Sequence, residues 1–380
     1  MLKMPQVFIR RTIHPVGQGA FYTEKFYNAK EEQLYTFVYD CGTETAIKNM
    51  EEPLSVQISD FKRNLENQAI DLLFISHFHE DHINGLDELL KNTHVHRTVI
   101  PMLSREVIIL NRVRNLVRYG DEARETDSII RELYYGQDDG EKGRFGDIIA
   151  VSPEQAGLEG EDSTNINSGE WLPKKGKVLR SGDSLAEPSI FWKYLPFNSI
   201  SASDQRAKDF VQQIALIPGV FNSKGELDVD EIVRNKRDDL KKVYENVMKG
   251  GNDNLYTLLV ESTPEEGIKV EPCPQCARCL YTGDFEPDAD KNVWKRFTVV
   301  YQNYSEIGIV QVPHHGSKHN WKQALLNAAG CRHYFISAGK TNRYHHPSYW
   351  VVRDIQQASY GVSVVCEELG SKMQSDYWIL

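Results

Sequence analysis

The chain has 380 residues, 40% of them hydrophobic, which is enough for one large core with elaborations; 54 acidic against 44 basic residues give a formal charge of −10. That sign excludes a protein gripping nucleic acid over its whole surface, so any phosphate-bearing substrate has to be met locally. No apolar run reaches the roughly 18 residues of a membrane span, and Met1-Leu2-Lys3-Met4-Pro5 leads into Arg10-Arg11 rather than a signal segment, so the expected setting is soluble and cytoplasmic with no membrane partner.

Taken in chain order, Gln6 to Thr12 and Thr36 to Tyr39 read as strands around a loop from His14 to Ala20, and the second strand ends at Asp40-Cys41-Gly42. Helical spacing covers Val56 to Gln68. A strand from Asp71 to Ile75, a short helix near Leu86 to Leu90 and a strand from Arg97 to Pro101 follow. Ser104 to Gly136 is helical and amphipathic, whereas Gln137 to Lys177 is polar and glycine-rich and reads as an excursion. A strand over Ser189 to Pro196 precedes a helical stretch from Ala202 to Lys249. Strands at Leu255 to Glu261, Cys279 to Thr282, Ile307 to Val312, His333 to Ser337 and Ser363 to Val365 close the chain. Such alternation is an α/β signature, here a single domain over 1–380 with insertions at about 104–177 and 202–249.

Chemistry concentrates at strand ends. Ser76-His77-Phe78-His79-Glu80-Asp81-His82 follows the apolar run Ile70 to Ile75 and sets three histidines and an aspartate in six positions, the donor types that borderline divalent ions take. Thr282-Gly283-Asp284 and Val312-Pro313-His314-His315-Gly316-Ser317 each follow a strand, where ligands of α/β layers collect. Eight of the twelve histidines fall in three groups, 77, 79 and 82; 314, 315 and 319; 345 and 346, which favours one shared site. Among the six cysteines, 41, 273, 276, 279, 331 and 366, the default is reduced thiol. Cys273, Cys276 and Cys279 form two CxxC steps lacking a fourth ligand, a reduced loop rather than a zinc knuckle. Cys41 reads as a small residue rather than a soft ligand. The basic runs Lys174-Lys175-Gly176-Lys177 and Lys340-Thr341-Asn342-Arg343 read as solvated.

In this order the motifs resemble the metallo-β-lactamase superfamily, and within it the hydrolase domain of ComEC-like DNA-internalisation competence proteins. The resemblance rests on Val16-Gly17-Gln18-Gly19, Tyr39-Asp40-Cys41-Gly42, the His77 to His82 loop, Asn252-Asp253-Asn254-Leu255, Thr282-Gly283-Asp284, Pro313-His314-His315-Gly316-Ser317 and Ser337 through Pro347. It implies an αββα sandwich and two divalent ions, zinc or manganese. His77 and His79 would hold one ion and Asp81 and His82 the other, Asp284 would bridge them, and either His314 or His315 would complete the second site. It further implies a substrate-proximal role for His346 with His345, binding the scissile phosphate or protonating the leaving oxygen, against a packed turn before Pro347. Asp40 would orient ligands rather than touch metal. Ser317 and Asn342 would donate to a phosphate or cap local turns.

Two departures stand out. The superfamily's further histidine between the first loop and the bridging aspartate is missing; His94 and His96 precede a strand and so belong at the opposite end, which leaves the first ion more open or completed by water. Ala20 stands where the competence-type loop carries an aspartate. The expected activity is dinuclear metal-dependent phosphodiester hydrolysis through a metal-bridging hydroxide, with Asp81 and His346 in the chemistry and nucleic acid as substrate. The alternatives are a lactone, thioester or phosphorylcholine esterase, a non-catalytic module docking a protein through the helical insertions, and a nuclease effector in a bacterial anti-phage assembly.

Overall fold

The computed structural model describes residues 7–65, 68–136, 143–155, 171–173, 176–200, 204–249, 256–289, 291–326 and 333–380. Asn252 to Leu255, Lys174, Lys175 and Cys331 lie outside them.

Two sheets face each other. The first runs, in spatial order, Val270–Glu271, Met373–Ile379, Val7–Ile13, Gly19–Asn28, Gln33–Thr43, Ala69–Phe74, His94–Pro101, Asp147–Gln155 and Lys177–Ser181. The second runs Leu185–Glu187, Trp192–Asn198, Leu258–Pro264, Cys279–Tyr281, Ile309–Gln311, His333–Ser337 and Gly361–Val365. Pairing is parallel from Gln33–Thr43 through Lys177–Ser181 and from Cys279–Tyr281 through Gly361–Val365.

The two-residue period of a strand explains how each sheet serves two layers. Phe37, Tyr39, Leu72 and Phe74 point into the core between the sheets, while the intervening Val38, Leu73 and Ile75 join the helices outside the first sheet. In the second sheet, Leu258, Val260, Tyr281 and Phe335 face inward and Leu259, Leu280, Tyr334 and Ile336 face the outer helices. Aromatic stacks, Phe37 on Tyr194 at 4.7 Å and Tyr39 on Tyr281 at 5.1 Å, tie the sheets together. Burial of each such ring contributes about 1.5–3 kcal/mol. The result is the expected αββα sandwich. Val113 and Leu116 of helix Arg105–Tyr119, Phe210 of Asp204–Ile214 and Leu240 of Arg237–Val247 belong to the same cluster as Leu73, so these helices share the outer core.

Three departures from the sequence reading shape the first sheet. Gly19–Asn28 is a strand buried along most of its length. Its Glu24 and Lys25 make it look exposed, but both are internally satisfied. Glu24 accepts from buried Arg11 Nε at 2.8 Å, Tyr281 Oη at 2.9 Å and Ser262 Oγ at 2.7 Å, and Lys25 Nζ donates to Asn64 O at 2.7 Å. Within the expected excursion, Asp147–Gln155 adds a parallel strand through Ile148 to Val151, and Lys177–Ser181 pairs beside it. Met373–Ile379 is a further strand, its mixed sequence fitting its place next to the short edge strand Val270–Glu271. Among the described residues, no helix is long and apolar enough to cross a membrane.

Candidate metal centre

The parallel strands deliver the site. Gln33–Thr43 and Ala69–Phe74 bring Asp40 and the His77–His82 loop to their carboxyl ends, Cys279–Tyr281 brings Asp284, Ile309–Gln311 brings His314 and His315, and His333–Ser337 leads to the loop carrying His346. Two glycines make the approach possible. A Cβ on Gly42 would meet the backbone of Glu80, Asp81 and His82 at 2.7 Å, and Gly283, at φ +52°, would press a Cβ to 2.5 Å from Thr257 Oγ1.

Two groups of donors converge, His77, His79 and Asp284 in one and Asp81, His82 and His315 in the other, all buried, the ligand atoms within each lying no more than 4.8 Å apart. The imidazoles are aimed by their far nitrogens. His82 Nδ1 donates to Asp40 Oδ2 at 2.7 Å, while Ser76 N and Oγ donate to the same carboxylate at 2.7 and 2.6 Å. His315 Nδ1 donates to Ser337 O at 2.8 Å, which turns Nε2 to Asp81 Oδ2 at 3.0 Å. His314 Nδ1 is anchored by Asn320 Oδ1 at 2.9 Å, and its Nε2 stands 3.7 Å from Asp284 Oδ2. Such carboxylate and carbonyl partners fix tautomer and direction in metal sites.

The donor set fits divalent cations. His77 Nε2 and His82 Nε2 are buried and make no hydrogen bond, yet each faces an Asp284 oxygen at 3.4 Å, Oδ2 and Oδ1 respectively. Donors about 2.1 Å from one tetrahedral centre stand about 3.4 Å apart, so the spacing suits a cation between them better than a proton. The electrostatics agree. Burial, with the Arg114 charge, holds His79 well below the usual histidine value, and burial with the His82 charge lowers His77, keeping both neutral. Burial opposes charge on His82 and His315 too, but Asp81, Asp40 and Asp284 outweigh it at His82, and Asp81 and Asp284 do so at His315, raising both. Asp81 and Asp284 are held well below the carboxylate range against burial, by His82 and His315 at the first and by His314, His77 and His82 at the second. The pocket thus presents buried negative charge that protons on two imidazoles, or cations, must balance. Glu80, between His79 and Asp81 in the chain, belongs to neither donor group, and burial pushes its carboxyl up to about 7.

His346 is half-buried, its ring 5.9 Å from His314 and stacked on Tyr344 at 5.7 Å. Burial and the charges of His315 and His314 lower its pKa to about 4. Asn342 braces this loop, Oδ1 accepting from His346 N at 2.9 Å and Nδ2 donating to His346 O and Gly339 O at 2.6 Å. His345 is exposed at φ +57°, and Ser317, buried, accepts from His319 N at 3.3 Å. His94 and His96 are exposed at the amino end of their strand, away from the centre. Ala20 is buried between the sheets, and Cys279 packs there with Ala277. Beside the centre lies a cavity of about 940 Å³ whose wall includes Glu44, Glu80, Tyr119, Asn342 and Tyr344.

Sequence reasoning passed over Gln311, whose Oε1 accepts from Thr282 N at 2.9 Å and Gly283 N at 3.1 Å and so sets the turn before Asp284. A glutamine in the apolar run Ile309 to Val312 was the available signal. Ser76 and Asn320, which orient Asp40 and His314, were equally overlooked.

Residues 35–214 match the model of the metallo-beta-lactamase superfamily. ComE operon protein 3 of Bacillus subtilis (strain 168) is 32% identical over 83 residues, 22% of this chain, which spans only 10% of that protein's length. Unliganded yeast PDE1 aligns with a TM-score of 0.43 at 9% identity, covering 99% of this chain and 100% of its own. The metallo-beta-lactamase fold protein YhfI of Bacillus subtilis gives 0.40 at 10% identity, covering 97% and 99%. A long form RNase Z from yeast gives 0.35 at 12% identity, covering 87% of this chain and 36% of that one. Structural likeness of that degree carries no argument about activity. Residues 35–214, just under half of the chain, are thus similar to the metallo-beta-lactamase superfamily, and the chain's two sheets with their outer helices form an αββα sandwich.

Proposed function

We propose that the chain is a dinuclear metal-dependent phosphodiesterase acting on nucleic acid. The observation that carries this reading is the pair of buried His/Asp groups meeting at one carboxylate, Asp284, whose Oδ2 faces His77 and His314 and whose Oδ1 faces His82. His77, His79 and Asp284 would hold one cation, with His314 in the place of the missing histidine, and Asp81, His82, His315 and Asp284 the other. When bound, such a pair activates water and neutralises charge developing at phosphorus.

The protein's own groups supply the rest. Asp40 and Ser337 O hold His82 and His315 in the tautomer whose Nε2 is available. His346 enters neutral and faces the donors from the last loop; the negative charge of a bound phosphodiester favours its protonated form, from which it hands a proton to the leaving oxygen. Asn342 keeps that loop in register, and His345 and Ser317 would be the further phosphate contacts. Proton transfer of this kind contributes about 10²–10⁴ in rate.

The test is turnover of DNA, RNA and small phosphodiesters by purified protein loaded with zinc or manganese. Cleavage of any supports the reading; no turnover with both ions bound contradicts it, and turnover of a lactone or thioester alone moves the assignment to that chemistry. Service as an effector in an anti-phage assembly, or docking of a protein on the helical insertions, extends the proposal and is checked by co-purification.

A further inference from the structure

Outside the metal centre, helix Arg105–Tyr119 and the segment from Val233 to Glu245 enclose a groove of about 680 Å³. Its wall carries Arg114, Arg118, Arg234, Arg237 and Lys241. Only two carboxylates, Asp238 and Glu245, join them, in a chain whose total charge is −10. The concentration is therefore local and opposite in sign to the molecule. One wall contains a π-helical turn, Ile232–Lys236, a geometry that is uncommon and recurs at functional sites.

The cations are not alike. Arg237 has a structural task, Nε and Nη2 donating to Val117 O at 3.1 and 2.9 Å at the carboxyl end of the helix. Arg234 and Lys241 are exposed and seven residues apart, so they lie on one face of the segment. Arg118 is the joint between groove and centre. It stands 3.0 Å from Glu44 Oε1 and donates to Tyr344 Oη, and Tyr344 stacks on His346, whose ring is 5.9 Å from His314. Arg114, at the groove's inner end, is close enough for its charge to lower His79.

We propose that this groove binds the backbone phosphates of a nucleic-acid strand flanking the scissile phosphodiester, so that the substrate is a polymer rather than a cyclic nucleotide or other small diester. The inference rests on the phosphodiesterase reading: next to a site that takes one phosphodiester, the anions that recur at fixed spacing are the neighbouring phosphates of the same strand. A small diester has no charge that reaches Arg234 or Lys241. The term is electrostatic and independent of sequence.

The experiment compares wild-type protein with the double variant Arg234→Ala/Lys241→Ala, both positions exposed and remote from the core. Fluorescence anisotropy with a labelled single-stranded oligonucleotide of about 20 nucleotides, in chelator, reads binding without turnover; kinetics of the manganese-loaded proteins on that oligonucleotide and on bis(p-nitrophenyl) phosphate read catalysis. The expected result is oligonucleotide affinity weakened about tenfold or more near 0.1 M salt, a slope of log K against log salt reduced by about 1.4, and unchanged kcat/KM on the small diester. Equal affinity and an equal salt slope in the two proteins overturn the groove. Loss of binding in the variant with no turnover of any diester by wild type leaves the groove standing and removes the phosphodiesterase reading, whereas turnover with an indifferent variant does the reverse.

Discussion

Replacement of Asp284 by asparagine removes one charge and leaves the shape nearly unchanged. In the structure its two oxygens stand 3.4 Å from His77 Nε2 and 3.4 Å from His82 Nε2, the positions between which the cations are proposed to sit. A cation between those atoms lies nearer the carboxylate than 3.4 Å, and a unit charge pair even at 3.4 Å and an effective dielectric near 20 is worth about 5 kcal/mol, which a divalent partner increases. The amide oxygen and local relaxation restore part, leaving a loss of about 3–4 kcal/mol, or roughly 10²–10³ in affinity for each cation. Elemental analysis after dialysis against graded chelator reads that affinity, and circular dichroism checks that the variant folds. The expected protein is folded, depleted in both ions and inactive. A folded Asp284→Asn variant that retains two ions per chain at wild-type affinity would refute the sharing of Asp284.

Other expectations follow from the same geometry. His346→Ala should keep both ions yet lower kcat on a phosphodiester by about 10²-fold or more, with less effect on substrates whose leaving group needs no proton; equal losses on both would point to a packing role. Glu24→Gln leaves buried Arg11 without its anion and should cost about 3–5 kcal/mol in chemical denaturation while metal content is unchanged. His82 and His315 are raised above the ordinary 6.5, so in chelator their contribution to stability is fully present below pH 6.5 and lost as pH rises through their folded values. Cations replace those protons, so the gap in melting temperature between metal-loaded and chelated protein should widen from pH 6.5 to 8; a constant gap would contradict the assignment.

Contiguity decided what could be read from the residues. The His77 to His82 loop is legible because its donors are neighbours in sequence, and Asp284 because a carboxylate directly after a strand marks the ligand-bearing end of a sheet. That His315 would group with Asp81 and His82, and His314 stand beside Asp284, was not legible. It depends on His315 Nδ1 reaching Ser337 O from the next strand and on His314 Nδ1 reaching Asn320, contacts that exist only once the parallel register is formed. The strand Gly19–Asn28 was hidden for a related reason: Glu24 and Lys25 break the apolar pattern, and their partners Arg11, Ser262, Tyr281 and Asn64 come from elsewhere in the chain. Asp147–Gln155 was masked by polar flanks, although Ile148, Ile149 and Val151 carried the signal. The outer helices, by contrast, follow from local periodicity, and Ser104 caps helix Arg105–Tyr119 as its residue type favours.

The central claim is that these side chains cage two cations around Asp284. Anomalous diffraction from crystals grown or soaked with zinc or manganese tests it most directly. Two peaks about 3.5–4 Å apart are expected, one contacted by His77, His79, His314 and Asp284 and the other by Asp81, His82, His315 and Asp284. Peaks at other residues, or no peak between these donors in excess metal, would contradict it.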